Sequence, residues 1–182
     1  MEESTGLILK AIHFAAEKHS GQRRKDAEAS PYINHPIQVT EILWSIGGVR
    51  DITLLLASIL HDTIEDTDVT PEDIKAEFGE EVLALVLEVT DDRSLPKEVR
   101  KQRQVETAPH KSNRAKLLKI ADKISNVQDI IHTPPRDWSL ERRQEYVLWT
   151  ERVVAGLRGV NEQLESRYDD LLAEGKRVLG LE

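Results

Sequence analysis

The chain of 182 residues contains no cysteine, which excludes disulfide bonds and thiolate metal sites. Aromatic residues make up only 4% of the chain and alternating β-branched runs are scarce, so the sequence argues against a sheet-based fold. No segment reaches the roughly 18 uninterrupted apolar residues of a membrane span. The N-terminus, residues 1–5, is acidic where a signal peptide would be basic. We therefore expect a cytoplasmic protein without a membrane partner.

An excess of positive charge is also missing. The formal net charge of -8 repels nucleic acid in general, so we expect no nucleic-acid partner. An anionic ligand would have to meet a metal ion or a local basic patch, and the one basic run in a long loop is Arg23-Arg24-Lys25. Three adjacent cations are usually only a solvated surface, so a phosphate-binding role for this run is a hypothesis. No glycine-rich phosphate loop competes with it.

The sequence does contain strong helical periodicity. Leu, Ala, Glu, Lys and Arg recur at the spacing of amphipathic helices. A share of 39% apolar residues in a chain of this length suits one domain with a full core. We predict an all-α fold, a compact single-domain helical bundle that spans residues 1–182.

The first histidine of interest follows a long stretch without periodicity. Residues 5–19 predict an amphipathic helix, and residues 20–34 then lack any repeat, which is more typical of a functional loop than of a connector. Pro36 suits the first turn of the next helix and would place His35 at its cap. The side chains that we expect to face inward from this helix are Ile37, Val39, Ile42, Leu43 and Ile46.

An apolar run at residues 52–60 ends in an imidazole and a carboxylate, His61-Asp62. A buried carboxylate is costly unless it is paired or bound to a metal, and histidine supplies the other common ligand for a divalent transition ion. The same cluster continues with Glu65 and Asp66. The run therefore predicts a metal site at the end of a buried helix.

Two more polar residues accompany predicted apolar helices. His35 precedes one of them, and Asp122 lies within the strongly helical stretch 112–131. Each is weak evidence alone, because a single His is more often a surface or hydrogen-bonded residue. Together with His61 and Asp62 they form a mixed nitrogen and oxygen set suited to Mn²⁺, Fe²⁺, Zn²⁺ or Co²⁺. Such a set leaves positions open for water and a substrate oxygen, which is typical of a catalytic site.

Glu65 and Asp66 lie one turn beyond the His61-Asp62 pair if the helix continues. From there they can reach a water molecule in the site, and Glu65 is the better general base candidate by proximity, with Asp66 sharing the role. The alternative is that both only solvate the end of a helix. The other histidines are interpreted as packing or surface residues: His13, His19, His110 and His132.

The second half of the chain carries two further expectations. The charged stretch 91–109 is interpreted mainly as a solvated face, with Pro96 opening a short helix. A single long helix is predicted from Ser139 to about Tyr168 at the end of the chain.

The pattern of His35, His61-Asp62 and Asp122 resembles the HD superfamily of metal-dependent phosphohydrolases. The motifs Tyr32-Ile33-Asn34-His35-Pro36 and His61-Asp62-Thr63-Ile64-Glu65-Asp66-Thr67 narrow the resemblance to the hydrolase domain of RelA/SpoT-type proteins. Four further stretches resemble the stand-alone small alarmone hydrolases of the metazoan SpoT homologue type: Gln22-Arg23-Arg24-Lys25-Asp26, Glu88-Val89-Thr90-Asp91-Asp92, Leu95-Pro96-Lys97 and Ala121-Asp122-Lys123.

The resemblance implies about ten helices and a manganese-dependent hydrolase of the alarmone guanosine 3′,5′-bispyrophosphate (ppGpp or pppGpp), the nucleotide of the stringent response. Its 3′-pyrophosphate would be removed by an activated water, giving GDP or GTP. One Mn²⁺ per chain, or another divalent transition ion, is implied on His35, His61, Asp62 and Asp122. Catalysis is implied for Glu65 and Asp66. Substrate contacts are implied for Arg24, Lys25, Tyr32, Asn126 and, more weakly, Tyr146.

Two other functions stay open at this stage. Removal of the 2′-phosphate of NADPH would need the same metal and basic loop, and the sequence does not distinguish this reaction from the hydrolysis of ppGpp. A catalytically inactive nucleotide sensor is the non-enzymatic alternative, against which the intact set of four ligands argues. The oligomeric state is also open, a dimer included.

Overall fold

The computed structural model describes residues 2–181, and over that range the chain forms ten α-helices and one 3₁₀ turn, with no β-strand. The prediction of an all-α bundle of about ten helices is confirmed. The helices are α1 (Glu2–Lys18), α2 (Asn34–Ser45), α3 (Ile52–Leu60), α4 (Thr63–Asp66), α5 (Pro71–Phe78), α6 (Glu80–Val89), α7 (Lys97–Thr107), α8 (Asn113–His132), α9 (Leu140–Ala155) and α10 (Glu162–Leu179), with the 3₁₀ turn at Ala108–His110.

Helices α3 and α8 lie at the centre of the bundle. Helix α3 is apolar on every side and buries all residues from Leu54 to Leu60, and it begins at Asp51, whose carboxylate accepts hydrogen bonds from the backbone of the first turn. Helix α8 packs against α2, α3, α6, α9 and α10. Because both helices are enclosed by the others, a polar group on the inner face of α8 or just beyond α3 is held inside the molecule.

Helix α2 begins two residues earlier than predicted, at Asn34 and not at Pro36. The expected cap, His35, is the second residue of the helix, because a turn closes between the backbone N–H of His35 and the carbonyl of Tyr32 and starts the coil at Asn34. The inward position of Ile37 is wrong, since this side chain is 40% exposed. The buried face of α2 contains His35, Pro36, Val39, Ile42 and Leu43, and Ile37 lies on the opposite face.

The single long helix predicted from Ser139 to Tyr168 is also wrong, because the chain breaks into α9 and α10. Gly159 adopts φ +91°, a conformation that favours glycine, and Asn161 caps α10 by accepting the backbone N–H of Leu164 at 3.0 Å. The apolar spacing continued across the break because Leu157 and Leu164 both reach the core. The break lets α10 fold back onto α8 and α9.

Within residues 2–181, no helix has the combination of length and apolar character that a bilayer span requires.

Candidate metal centre

Four of the predicted ligands converge where α2, the end of α3 and the middle of α8 meet. One ligand atom each from His35, His61 and Asp62 lies within 4.8 Å of the others. Asp122 adds its Oδ1 at 3.2 Å from Nε2 of His35 and 4.0 Å from Nε2 of His61. Asp62 approaches the same two nitrogens, with its oxygens 3.3 Å from His61 and 3.8 Å from His35. The structure therefore brings the four residues together.

These spacings fit a shared divalent ion. Metal–ligand bonds of about 2.1 Å place neighbouring donor atoms about 3 Å apart and opposite donors about 4 Å apart. The separations of 3.2 to 4.0 Å between nitrogen and oxygen fall in that range. In addition, Nε2 of His61 is buried and has no hydrogen-bond partner among the described residues. An orphaned buried nitrogen is explained by a ligand that completes it.

Hydrogen bonds behind the rings orient both imidazoles. Nδ1 of His61 donates to the carbonyl of Ser58 at 2.7 Å. Ser125 donates its hydroxyl to Gln38 at 3.0 Å, so its oxygen accepts the Nδ1 proton of His35, also at 3.0 Å. With Nδ1 protonated in both rings, each Nε2 presents a lone pair toward the carboxylates, which is the arrangement that a metal-binding histidine needs.

The two ligand carboxylates are held in their charged form. Burial alone would raise the pKa of Asp122, but the ammonium group of Lys123, at 2.9 Å, outweighs it and the pKa stays well below its usual range. Burial likewise opposes ionisation of Asp62, and the hydroxyl of Tyr32, which donates to its Oδ2 at 2.7 Å, favours the charged form. A charged carboxylate is the form that binds a metal.

Tyr32 links this cluster to the predicted catalytic pair. Its hydroxyl donates to Asp62 Oδ2 at 2.7 Å and also lies 3.1 Å from Asp66 Oδ2. Asp66 pairs through its other oxygen with Arg93. The helix does not continue from α3 as the prediction had allowed. Asp62 instead precedes the short helix α4, which carries both Glu65 and Asp66.

Glu65 is anchored by the segment that follows α6. Its Oε2 accepts the backbone N–H of Asp91 at 3.0 Å, and its Oε1 lies 3.6 Å from Arg100 and 3.8 Å from Arg93. Burial raises the pKa of Glu65, against the hydrogen bond from Asp91. The stretch 91–109 is therefore not simply a solvated face. That interpretation is wrong for Asp91, Arg100 and the half-buried Gln104, which line the site.

Two adjoining cavities open over these residues. The carboxylate cavity, of about 450 Å³, contains His35, Asp62, Glu65, Asp66 and Asp122. The loop cavity, of about 530 Å³, lies between residues 22–26 and the end of α8, where Ile130, Pro135 and Trp138 line it. Seven residues line both cavities: Lys25, Tyr32, Asp66, Arg93, Asn126, Trp138 and Tyr146. The two cavities therefore form one continuous depression.

The predicted substrate contacts all lie on this depression. Arg24 pairs with Asp129 on α8 and lies with its guanidinium 5.7 Å from the ring centre of Tyr32, whereas Lys25 is exposed. Asn126 donates to Asp122 Oδ1 at 2.6 Å, so it also holds a ligand carboxylate. Tyr146 lies between Trp138 and Trp149, and burial raises its pKa to about 12.

The sequence reasoning missed several cavity residues. Lys119 and Lys123 are buried on α8, and Arg93, Arg100 and Trp138 come from segments that were not predicted to line a site. Helical spacing contained the signal for the two lysines, because residues 119, 122, 123 and 126 share one face of α8. For Arg93 and Arg100, no local pattern indicates that their segment folds over the site.

The remaining histidines lie outside the ligand cluster, in agreement with their interpretation. His13, His110 and His132 are exposed. His19 is buried, and its ring packs on Tyr32 with centres 4.8 Å apart.

This chain is similar to a known protein family and to named enzymes of that family. The HD domain matches residues 11–155 of this chain. The guanosine-3′,5′-bis(diphosphate) 3′-pyrophosphohydrolase MESH1 of Xenopus tropicalis is 51% identical over 174 residues, 96% of this chain and 97% of that protein. The Homo sapiens protein of the same name is 50% identical over 174 residues, with the same coverage of 96% and 97%.

A solved structure gives the corresponding match in three dimensions. It belongs to a metazoan orthologue of SpoT that hydrolyses ppGpp and plays a role in starvation responses. The two structures agree with a TM-score of 0.90 and 44% sequence identity, over 92% of this chain and 94% of the other.

Proposed function

This chain belongs to the HD-domain family and, within it, to the family of MESH1, and from that premise we propose that it hydrolyses ppGpp or pppGpp at the 3′-pyrophosphate, giving GDP or GTP and pyrophosphate. The observation that carries the proposal is identity of about half over 96% of the chain to relatives named for this reaction. The cluster of two histidines and two aspartates at the cavity floor supports it, since phosphoryl transfer requires groups that bind and polarise phosphate oxygens.

We propose Mn²⁺ as the resident ion, one per chain, on His35, His61, Asp62 and Asp122. The mixed nitrogen and oxygen donors support this choice, because such sets suit the harder divalent transition ions. When bound, the ion supplies Lewis acidity and lowers the pKa of a water molecule. The choice of ion is tested by loading the metal-free chain in turn with Mn²⁺, Mg²⁺, Fe²⁺, Co²⁺ and Zn²⁺ and measuring turnover. If another ion gives the highest turnover, Mn²⁺ is not the resident ion.

The protein groups near that water are Glu65 and Asp66. We propose that Glu65 accepts the proton of the attacking water, because burial raises its pKa toward the working pH and so makes it a stronger base. Asp66 orients the water while Arg93 holds its carboxylate in an ion pair. The water oxygen bonds to the phosphorus next to the ribose as the bond between that phosphorus and the 3′ oxygen breaks. The 3′ oxygen takes up a proton from solvent, and the released group leaves as pyrophosphate.

We propose that the loop cavity receives the nucleoside. Trp138, Tyr146, Ile130 and Pro135 offer an apolar and aromatic surface to a base, and Arg24, Lys25 and Asn126 lie beside it for the sugar and phosphates. Aromatic faces stack on bases of any kind, whereas the cations provide the attraction to phosphate. These contacts are a proposal about the substrate, supported by their common position at the cavity.

Product analysis tests the proposed reaction. The metal-loaded chain is incubated with ppGpp and, separately, with NADPH, and the products are resolved by anion-exchange chromatography. GDP with one pyrophosphate per turnover is expected. Release of orthophosphate from the 3′ end would overturn the proposed bond cleavage, turnover of NADPH alone would establish the 2′-phosphatase, and tight binding of ppGpp without products would establish a sensor.

We also propose that residues 1–182 form a single domain that acts in the cytoplasm on a small nucleotide and not on nucleic acid. One continuous cluster of buried side chains, with contributions from both ends of the chain, supports the single domain. The formal charge of -8 supports the absence of a nucleic-acid partner.

A further inference from the structure

A buried lysine of the carboxylate cavity, Lys119, has no carboxylate partner among the described residues. Lys119 is 7% exposed, and the nearest partner of its Nζ is the carbonyl of Val89 at 3.5 Å. Among the described residues, no carboxylate lies within 4.0 Å of that nitrogen. Lys123, one turn further along α8, differs in this respect because Asp122 pairs with it at 2.9 Å.

Burying an unpaired ammonium group lowers the stability of the folded chain. Removing an ammonium group from water costs several kcal/mol unless a partner compensates it. Burial and the neighbouring Lys123 accordingly lower the pKa of Lys119. The side chain nevertheless lines the cavity that contains Asp62 and Asp122. An anionic ligand that enters this cavity would supply the missing charge.

The position of Lys119 on α8 indicates which part of a ligand it meets. Ile130 lines only the loop cavity, Asn126 lines both cavities, and Asp122 and Lys119 line only the carboxylate cavity. At 1.5 Å per residue, Asn126 lies about 6 Å along the helix axis on one side of Asp122, and Lys119 about 4.5 Å on the other. Lys119 is thus on the far side of the metal ligands from the loop cavity.

We propose that Lys119 binds the terminal phosphoryl group of a nucleotide 3′-diphosphate, an assignment that rests on the proposed function. With the nucleoside in the loop cavity and the phosphorus next to the ribose at the metal ligands, the outer phosphoryl group of the chain extends past Asp122 toward Lys119. Its oxygens accept hydrogen bonds from the ammonium group and compensate the buried charge. Lys119 is therefore a determinant of specificity for a diphosphate over a monophosphate at this position.

Replacing Lys119 by Met tests the proposal, because Met keeps a long apolar side chain and removes only the charge. The matched control is Lys116→Met on the same helix, whose residue lies outside both cavities. In Lys119→Met, kcat/KM for ppGpp should fall by between about tenfold and a hundredfold, the range of a hydrogen bond to a charged group. The inhibition constant of guanosine 5′-diphosphate 3′-monophosphate should change less than threefold.

A second measurement does not depend on turnover or on the metal. Calorimetry at low ionic strength should show that inorganic pyrophosphate binds the metal-free Lys119→Met variant at least about tenfold more weakly than the wild type, with Lys116→Met unchanged. Equal losses for the diphosphate and the monophosphate, or unchanged pyrophosphate binding, would overturn the assignment. If the wild type fails to hydrolyse ppGpp, the proposed function fails, while the pyrophosphate titration still decides whether Lys119 binds this group.

Discussion

Tyr32 has one hydroxyl proton and two carboxylates within reach, Asp62 at 2.7 Å and Asp66 at 3.1 Å. The proton goes to the nearer carboxylate, so this bond fixes the orientation of the metal ligand Asp62, while the hydroxyl oxygen stays in contact with Asp66. The ion pair with Arg93 compensates the charge of Asp66 and lets the two carboxylates lie close together. The geometry of the metal site and that of the catalytic pair are therefore coupled through one side chain.

The role of Glu65 can be separated from metal binding by substitution. Glu65→Gln should retain the metal, because the Glu65 carboxylate bonds to Asp91 and faces arginines, and it contacts no ligand. The rate kcat should fall by about 10²-fold or more, since a general base typically contributes 10² to 10⁴. Steady-state kinetics with metal analysis measures both quantities. The control is Glu162→Gln on the exposed start of α10, and an unchanged kcat in Glu65→Gln would reduce Glu65 to a structural group.

At the scale of elements, the long loop before α2 is attached at several points. Gln22 donates to the carbonyl of Asp66 at 2.5 Å, and Arg24 forms an ion pair with Asp129 on α8. The loop also closes on itself through the bridge between Arg23 and Pro31. A 15-residue segment without periodicity is thus ordered by contacts with the helices that carry the site. Neighbouring Arg24 and Lys25 consequently differ, one tied to α8 and the other exposed.

Because Arg24 is paired with Asp129 and Lys25 is exposed, only the effect of Arg24 on KM should depend on a second residue. Lys25→Ala should raise KM for ppGpp with unchanged metal content, because an exposed cation acts on the phosphates and contacts no ligand. Arg24→Ala should raise KM as well, and Asp129→Ala should reproduce part of that rise because it releases the guanidinium. The double variant Arg24→Ala/Asp129→Ala should then be less impaired than the sum of the single effects.

Salt provides an independent measurement for the same cations. Added salt should raise KM of the wild type more than that of Arg24→Ala/Lys25→Ala, because screening has less to weaken once the charges are gone. Strict additivity in the Arg24 and Asp129 cycle would contradict the loop anchor. Wild-type kinetics and salt response in Arg24→Ala/Lys25→Ala would show that the basic run is only a solvated surface.

The junction between α9 and α10 predicts an effect on stability alone. Asn161 caps α10 through Leu164 and also donates to the carbonyl of Gly47 at 2.9 Å, far from both cavities. Asn161→Ala should lower the free energy of unfolding by about 1–2 kcal/mol, the cost of a lost cap. Urea denaturation measures the loss. Asn161→Asp keeps the cap but loses the hydrogen bond to Gly47, so the difference between the two variants measures the cap. A fall in kcat of Asn161→Ala at full folding would contradict a purely structural role.

At the scale of the whole molecule, the sequence predicted the parts of the fold that a local pattern specifies. The buried helix before His61 could be predicted because its residues are apolar on all sides, and α8 because its apolar spacing is regular. The break between α9 and α10 was missed because Leu157 and Leu164 keep a helical spacing on either side of it. Hydrophobic period alone does not distinguish one long helix from two that pack on the same core.

The site could be predicted only where residue type and position agree. His35, His61, Asp62 and Asp122 are common metal ligands on or beside apolar helices, so their meeting could be expected. The contribution of Arg100 could not, since its helix α7 buries none of its own residues and reads as a solvated face. Its approach to Glu65 depends on how the chain turns after α6, and that packing is not encoded in a local repeat.

Metal binding and stability of the whole bundle should be linked, because the four ligands come from α2, the α3–α4 junction and α8. These segments are brought together only in the folded chain, so an ion bound there stabilises the native state by mass action. At a free concentration of Mn²⁺ a hundred times its Kd, the gain is about 2.7 kcal/mol. For a chain of this size that corresponds to a rise in Tm of about 5–10 °C.

The measurement is a thermal melt of the chelated protein against increasing free Mn²⁺. Asp122→Ala and His61→Ala should lose both the rise in Tm and turnover, because each removes one of the donors that meet within 4.0 Å. The control is His110→Ala, an exposed histidine that should keep both. A rise in Tm that persists in Asp122→Ala and His61→Ala, together with full turnover, would place the metal elsewhere. Loss of turnover with the metal-dependent rise retained would separate these residues from ion binding.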